Sequence, residues 1–360
     1  MTQDEIKILS EAPGRVTLFG EHQDYLGLPV ISSAINRKII IKGHPIEDKK
    51  VIVNLLDLNK TKKFELNRVL EYNQPREYIK SGINVFLKAG YKLKRGYNVE
   101  VTGNIPISAG LSSSSALVVA WINFLFATQK IMLSPLDLAL YAFKAEVSEF
   151  NEPGGNQDHI TSSFGGVVYI EQGDIPKVQQ LQAPKGKFII VNSGIPKPTL
   201  KTLARIKTEV KTSLSAVNRE GIQVDLRHIT IDEIERIKTC IPYYRTLVGI
   251  LMIRDLTYRA VKELSKRQIS NENFGKMLTE HHEILRDYLR VSHPILDKII
   301  NVGLEEGALG GKIVGSGEGG CALLYVTDNQ NKISNRIRER LGLEEVFSTS
   351  ISDGARITYY

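Results

Sequence analysis

The 360 residues predict a mixed α/β protein built in two parts. Three observations carry that prediction. Short Ile- and Val-rich segments bounded by Gly, Pro, Asn and Asp recur through the first half and again near the C-terminal end, the pattern of strands. Longer segments with apolar residues three and four apart alternate with them, the pattern of amphipathic helices. Between the two strand-bearing regions lies a strongly helical block from 198 to about 289. A chain of this length holds two sizeable cores, and 42% hydrophobic with 24% charged residues is the balance of an ordinary globular protein.

Taken in order, segments 7–10, 30–35, 39–43, 51–56 and 97–102 read as strands. Tyr78, Ile79, Ile83, Phe86 and Leu87 set a helix over 77–89, and helices follow over 112–128 and 135–150. Segments 164–171 and 187–192 return to strand character. The helical block divides into 199–217, 232–241, 246–267 and 274–289. Strands at 312–314, 320–325 and 354–358 then surround one last helix, 329–341. The turn Asn192-Ser193-Gly194-Ile195-Pro196 is the candidate boundary, dividing the chain into 1–192 and 193–360. No internal repeat or low-complexity linker interrupts this plan.

The most informative stretch is 104–116, Asn-Ile-Pro-Ile-Ser-Ala-Gly-Leu-Ser-Ser-Ser-Ser-Ala. Pro106 and Gly110 mark a turn, and Ser112, Ser113, Ser114 and Ser115 stand where the apolar helix begins. Small residues such as Ser108, Ala109 and Gly110 let backbone N–H groups approach an anion, and a helix start adds a partial positive charge. Leu111 belongs to the same loop, and an apolar stretch over 116–127 follows the serines. The serine hydroxyls supply further donors, or an oxygen ligand for Mg²⁺. A Ser-rich helix cap would look much the same, and no Gly-Lys-Ser/Thr follows to make an ordinary nucleotide-binding P-loop.

Two further motifs favour the phosphate reading. Near the N-terminus, Gly14-Arg15-Val16-Thr17-Leu18-Phe19-Gly20 leads into Glu21-His22-Gln23-Asp24-Tyr25. Near the C-terminal end, Gly310-Gly311-Lys312-Ile313-Val314 leads into Gly315-Ser316-Gly317-Glu318-Gly319-Gly320-Cys321. In this order and spacing the chain resembles the GHMP kinase superfamily and, within it, the galactokinases. The first motif resembles the galactokinase signature, the serine stretch the superfamily's phosphate loop, and the third its C-terminal glycine-rich motif.

That resemblance implies a two-domain GHMP kinase fold. Residues 1–192 would form an S5-like domain binding ATP and sugar. Residues 193–360 would form a ferredoxin-like domain whose last strand returns toward the interface, with the active-site cleft between. It implies ATP-dependent phosphorylation of the anomeric hydroxyl of a monosaccharide, galactose or a close relative, giving the sugar 1-phosphate and ADP. The cradle would be 108–115. Ser114 and Glu146 would hold Mg²⁺, Glu146 standing seven positions before Pro153 as the family's metal carboxylate stands before its own proline. Asp158 would be the catalytic base, although an Asp at that place also reads as a helix N-cap. Arg15 would keep Asp158 ionised and offset charge on the phosphoryl group. Glu21, His22, Asp24, Tyr25 and Gly155 would bind the sugar. Gly315, Gly317, Gly319 and Gly320 read equally as a close-packed turn or as ligand contacts. The paired His281 and His282 lack zinc-site spacing and read as structural.

Departures from the galactokinase pattern limit the acceptor. They lie at Gln23, Leu26, Ser108, Gly154 and His159. Ile195-Pro196-Lys197-Pro198-Thr199 also replaces a stretch that carries the family's sugar-contacting tyrosine. These changes are expected around the sugar, leaving heptose, arabinose, a uronic acid, an amino sugar or mevalonate as alternatives. A non-catalytic sensor of sugar and nucleotide is a third reading. Retention of Arg15, Ser114, Glu146 and Asp158 together argues against it.

Composition bears on partners and compartment. The net charge of +7 comes from scattered lysines without an aromatic-interleaved basic stripe, so anionic small substrates are expected rather than nucleic acid. No apolar run is long enough to span a membrane, and Met-Thr-Gln-Asp-Glu does not read as a signal peptide. Two cysteines, Cys240 and Cys321, cannot build a disulfide framework, and a cytoplasmic setting is expected.

Overall fold

The computed structural model describes residues 6–106, 109–222 and 224–360. Ser108, an expected member of the phosphate cradle, lies outside the described residues.

The strands of the first half are β1 (Ile8–Phe19), β2 (Val30–Ile46), β3 (Lys50–Leu55), β4 (Lys60–Glu65), β5 (Gly96–Gly103), β6 (Val167–Glu171) and β7 (Lys177–Leu181). Those of the second are β8 (Lys187–Asn192), β9 (Gly310–Ile313), β10 (Cys321–Val326), β11 (Val346–Thr349) and β12 (Arg356–Tyr359). Helices α1 (Tyr78–Lys88), α2 (Ser113–Ala127), α3 (Pro135–Glu146) and α4 (Gln157–Phe164) accompany the first set. Six more follow: α5 (Thr199–Arg219), α6 (Ile231–Glu235), α7 (Tyr244–Leu264), α8 (Asn271–Asp287), α9 (Pro294–Glu305) and α10 (Gln330–Leu341).

One sheet runs β12-β1-β2-β5-β3-β4, with β6 and β7 continuing from β2. The other runs β11-β8-β10-β9 and is antiparallel throughout. The 30–35 and 39–43 segments are one long strand, β2, interrupted in hydropathy by Asn36, Arg37 and Lys38. Its first part pairs with β6 and its second with β5, so one strand serves two neighbours. The Pro13-Gly14 pair does not end β1, because it sits at a register shift against β2 that carries the strand on through Arg15. Strands β4 and β7 are polar edge strands whose lysines and glutamines hide the alternating pattern.

The sheets divide earlier than the 192/193 turn. Phe188, Ile189, Ile190 and Val191 are buried, and β8 lies between β10 and β11 in the second sheet. A run apolar on both faces belongs inside a sheet covered on both sides, not at the edge of the first one. The chain's end crosses back, with β12 pairing β1 from Ile8↔Tyr359 to Glu11↔Arg356. The expected helix 135–150 ends at Glu146, and a short turn of 3₁₀ helix, Ser148–Phe150, follows.

Helix α2 packs on β1 and β2, and α4 packs on β1. Apolar around its whole circumference, α2 is the central helix of the first half, with Trp121 donating to Ile79 O at 3.0 Å. Helices α7 and α8 also contact β1, and one continuous core joins the sheets. This places the N-termini of α2 and α4, the middle of β1 and the β9–β10 loop at one cleft. No helix among the described residues is long and apolar enough to cross a membrane.

Candidate active site

The cleft holds about 800 Å³, within the range of small-molecule sites. Ala109, Gly110, Leu111 and Ser112–115 form one wall. Ser112 takes a left-handed backbone (φ 58°) at the start of α2, and no side chain caps the helix. Among the described residues, the first-turn N–H groups of α2 have no side-chain partners, and they lie beside the cleft with the positive end of the helix dipole.

Asp158 is the second residue of α4 rather than its cap, which is Asn156. Arg15 Nε donates to Asp158 Oδ1 at 2.6 Å, and Ser112 Oγ donates to Oδ2 at 2.6 Å. A quarter of the Asp158 side chain (25%) remains open to the cleft. Burial alone would raise its pKa. The Arg15 charge and hydrogen bond, with the Ser112 hydroxyl, outweigh that and hold the carboxyl below the usual Asp range. Arg15 Nη1 also donates to Gly110 O at 2.7 Å, so one guanidinium ties the carboxylate to the serine loop.

At the other end, His22 and Tyr25 orient one another. His22 Nε2 lies 3.2 Å from Ser316 O, a carbonyl that can only accept, so Nε2 carries the proton. Nδ1 then accepts from the Tyr25 hydroxyl at 2.6 Å. Burial draws His22 down to about 4, which keeps it neutral in this arrangement. Asp24 is buried beside Gly155, where a Cβ would stand 2.0 Å from Asp24 Oδ2. Burial, then the neighbouring Asp158 charge, push the Asp24 carboxyl up to about 6.

Glu21 has a partner in the second half of the molecule. It lines the cleft, but its carboxylate is committed to Lys312 of β9, whose ammonium also donates to Thr17 O at 3.0 Å. Both side chains are buried, and His281 Nε2 lies 3.5 Å from Glu21 Oε2. Burial pushes Glu21 up and Lys312 down, while their mutual attraction opposes both shifts. With one oxygen held by a buried ammonium, Glu21 joins the two halves of the molecule, while its Oε2 makes no hydrogen bond among the described residues. Gln23, expected around the sugar, instead donates its Nε2 to Ile250 O of α7 at 3.0 Å, away from the cleft. Like Leu26, it is absent from the cleft wall, whereas Gly154 and His159 are on it.

Glu146, at the end of α3, lines the cleft, and its Oε2 accepts from His159 Nε2 at 2.7 Å. Ser114 is on the same cleft wall. Of the C-terminal glycine motif, Gly315 reaches the cleft; Gly317, Gly319 and Gly320 do not line it. Gly317 abuts Val291 O, and Gly319 abuts the carbonyls of Ile195 and Pro196, so these two pack loop against loop.

Comparison with known proteins is consistent across the chain. The GHMP kinases N terminal domain matches residues 77–166, the GHMP kinases C terminal domain matches 260–342, and the galactokinase galactose-binding signature matches 2–45. A galactokinase of Thermococcus kodakarensis is 30% identical over 90% of this chain and 91% of its own. The chain belongs to the GHMP kinase family.

A mevalonate kinase of Pyrococcus furiosus is 25% identical, over 92% of this chain and 93% of the relative. In fold, this GHMP kinase superposes on a Lactococcus lactis galactokinase solved with galactose at a TM-score of 0.86 and 22% identity, covering 97% and 95% of the two chains. Family membership makes the chain an ATP-dependent kinase.

Sequence reasoning missed two residues of this GHMP kinase. Lys312 was read only as part of a motif, because nothing local marks it as the partner of Glu21. Lys197 lines the cleft beside Gly110 and Gly315. Its signal was the Pro196-Lys197-Pro198 spacing, a lysine held in a stiffened loop just after a buried strand. For a divalent cation, the donors present are a hydroxyl and a carboxylate on one wall. They suit a hard ion that takes its remaining ligands from water and phosphate. No group of three or more His, Cys, Asp or Glu side chains gathers as a protein-only metal cage among the described residues.

Proposed function

We propose that the protein transfers the terminal phosphoryl group of ATP to the anomeric hydroxyl of a monosaccharide, galactose or a close relative, giving the sugar 1-phosphate and ADP. The observation that carries this reading is the Arg15–Asp158–Ser112 cluster, an ionised carboxylate held beside the serine loop and open to the cleft. Asp158 orients the hydroxyl and accepts its proton, each carboxylate oxygen keeping a lone pair beyond its present bond. The sugar oxygen bonds to the γ-phosphorus as the bond to the β–γ bridging oxygen breaks, and ADP leaves with that electron pair. Arg15 stabilises the carboxylate and lies against the loop that takes the phosphates. His22, Asp24 and Tyr25 offer directional partners to sugar hydroxyls, with His22 neutral and Asp24 close to Gly155.

Ser114 and Glu146 would hold Mg²⁺, which when bound neutralises charge on the phosphates. His159 orients the Glu146 carboxylate through its Nε2–H. A cytoplasmic setting, where ATP and free sugars meet, fits the reading.

An acyclic hydroxy acid is the second acceptor to test, because of the mevalonate kinase relative and the loop that lacks the usual tyrosine. A coupled ADP-release assay with Mg-ATP against free sugars and mevalonate, with NMR of the product, decides between them. Turnover with galactose and a product phosphorylated at the anomeric oxygen is the expected result. Turnover on mevalonate alone would overturn the sugar reading.

A further inference from the structure

Lys197 reaches the cleft with no ion pair or hydrogen bond among the described residues, and the Asp158 and Glu21 carboxylates act on it only at longer range. The turn that carries it is fastened to the C-terminal glycine-rich loop: Gly320 N donates to Ile195 O at 2.8 Å, Ser193 N to Gly320 O at 2.9 Å, and Ser193 Oγ to the same oxygen at 2.6 Å. Its aliphatic stem runs across Gly320, where a Cβ would stand 2.5 Å from Cδ. The ammonium ends between two loops, 2.5 Å from a Cβ placed on Gly110 and 3.0 Å from one placed on Gly315. All three glycines have positive φ, so side chains there would be strained as well as crowded. The absence of side chains at these positions makes a channel for the lysine.

The neighbouring cation is already committed. Arg15 spends Nε on Asp158 and Nη1 on Gly110 O. Lys197, by contrast, makes no hydrogen bond or ion pair among the described residues and faces the cleft wall. Burial, then the Arg15 charge, draw Lys197 down to about 8, so it still carries its proton at neutral pH. A partly desolvated ammonium with three free donors is costly unless an anion completes it. Asp158 is already paired with Arg15 and Glu21 with Lys312, so neither completes Lys197, whereas a phosphate bound on the serine loop beside Gly110 would.

We propose that Lys197 contacts the terminal phosphoryl group of ATP from the side of the C-terminal glycine-rich loop and offsets its charge during transfer. This rests on the kinase reading above. It gives the Pro196-Lys197-Pro198 turn a function: a cation delivered by the second half of the molecule to a phosphate held by the first. It also gives Gly315 and Gly320 theirs, as the walls of the lysine's channel.

The test compares Mg-ATP with Mg-ADP by titration calorimetry on the whole protein. Lys197→Met keeps the stem and removes the charge. It should weaken ATP binding about 10-fold or more while ADP binding changes by less than about threefold, the loss expected for a charged hydrogen bond. Lys197→Arg should recover most of that difference. Lys207→Met, which removes the same charge from an exposed position on α5, should leave the ATP-to-ADP ratio unchanged. With the accepted sugar, Lys197→Met should lower kcat by about 100-fold and leave the sugar KM within about threefold. Equal weakening of both nucleotides, or no change in either, would overturn the assignment, as would a rise confined to the acceptor KM. Failure of the unmodified protein to bind either nucleotide would overturn the kinase reading and this inference with it.

Discussion

Asp158 shows how burial and two neighbours set the state of one carboxyl group. Burial would protonate it; Arg15 and Ser112 keep it ionised. Asp158→Asn should reduce kcat about 10³-fold, within the range for removal of a general base, with ATP affinity kept. Steady-state kinetics beside nucleotide titration would show it, and retained turnover would remove Asp158 from the mechanism. Asp24 lies at the opposite extreme, pushed up to about 6 from its usual 3.8. Below pH 4 the folded and unfolded chains both hold this proton. Between pH 4 and 6 the folded chain keeps a proton that the unfolded chain has lost, so stability falls as pH rises through 6. The cost for about two pKa units is about 3 kcal/mol, fully present at pH 8. Asp24→Asn should therefore melt above the unmodified protein at pH 8, with the gap closing by pH 4. A gap independent of pH in thermal unfolding would contradict the shift. The motif spacing pointed to both carboxylates; their opposite environments came from partners 46 and 143 residues away from Asp158 in sequence, and from Asp158 itself for Asp24.

At the level of elements, the site depends on loops that approach too closely for side chains. The α3–α4 connection brings Gly155 against Asp24, where a Cβ would overlap Oδ2. Gly155→Ala should displace the Asp24 carboxylate and raise the sugar KM about tenfold or more, with the ATP KM within about threefold. Kinetics with each substrate varied in turn would check it; equal rises in both constants would mean that the loop, not Asp24, had moved. Helix α2 was legible because its apolar run and Ser-rich start are local signals. Helix α4 was not, since eight residues with two buried polar faces carry little periodicity. Strand β8 was recognised as a strand, but its sheet was not. Membership is settled by Val346↔Val191 and Cys321↔Asn192 pairing, which no local pattern encodes.

Across the whole molecule, the Glu21–Lys312 pair and its neighbour His281 connect the end of the first sheet's β1 to the second sheet and α8. Breaking such a buried pair leaves an uncompensated charge. Lys312→Met should thus destabilise the fold by about 3–5 kcal/mol, and adding Glu21→Gln should restore a large part of the loss. Urea unfolding of both variants would measure it, and full additivity of the two substitutions would show that the pair does not act as a unit. The sequence by itself determined the fold class, the family, and most of the motif residues that line the cleft. Those follow from periodicity, from short motifs and from their order, all of which are written locally along the chain. The tertiary structure alone decided which of the motif residues face the cleft. It turned Gln23 toward α7, spent Glu21 on Lys312, and brought an unannounced Lys197 between two glycine-rich loops. Such outcomes depend on burial and on charge balance between segments distant in the chain, and a side chain's partner is chosen only once those segments have packed.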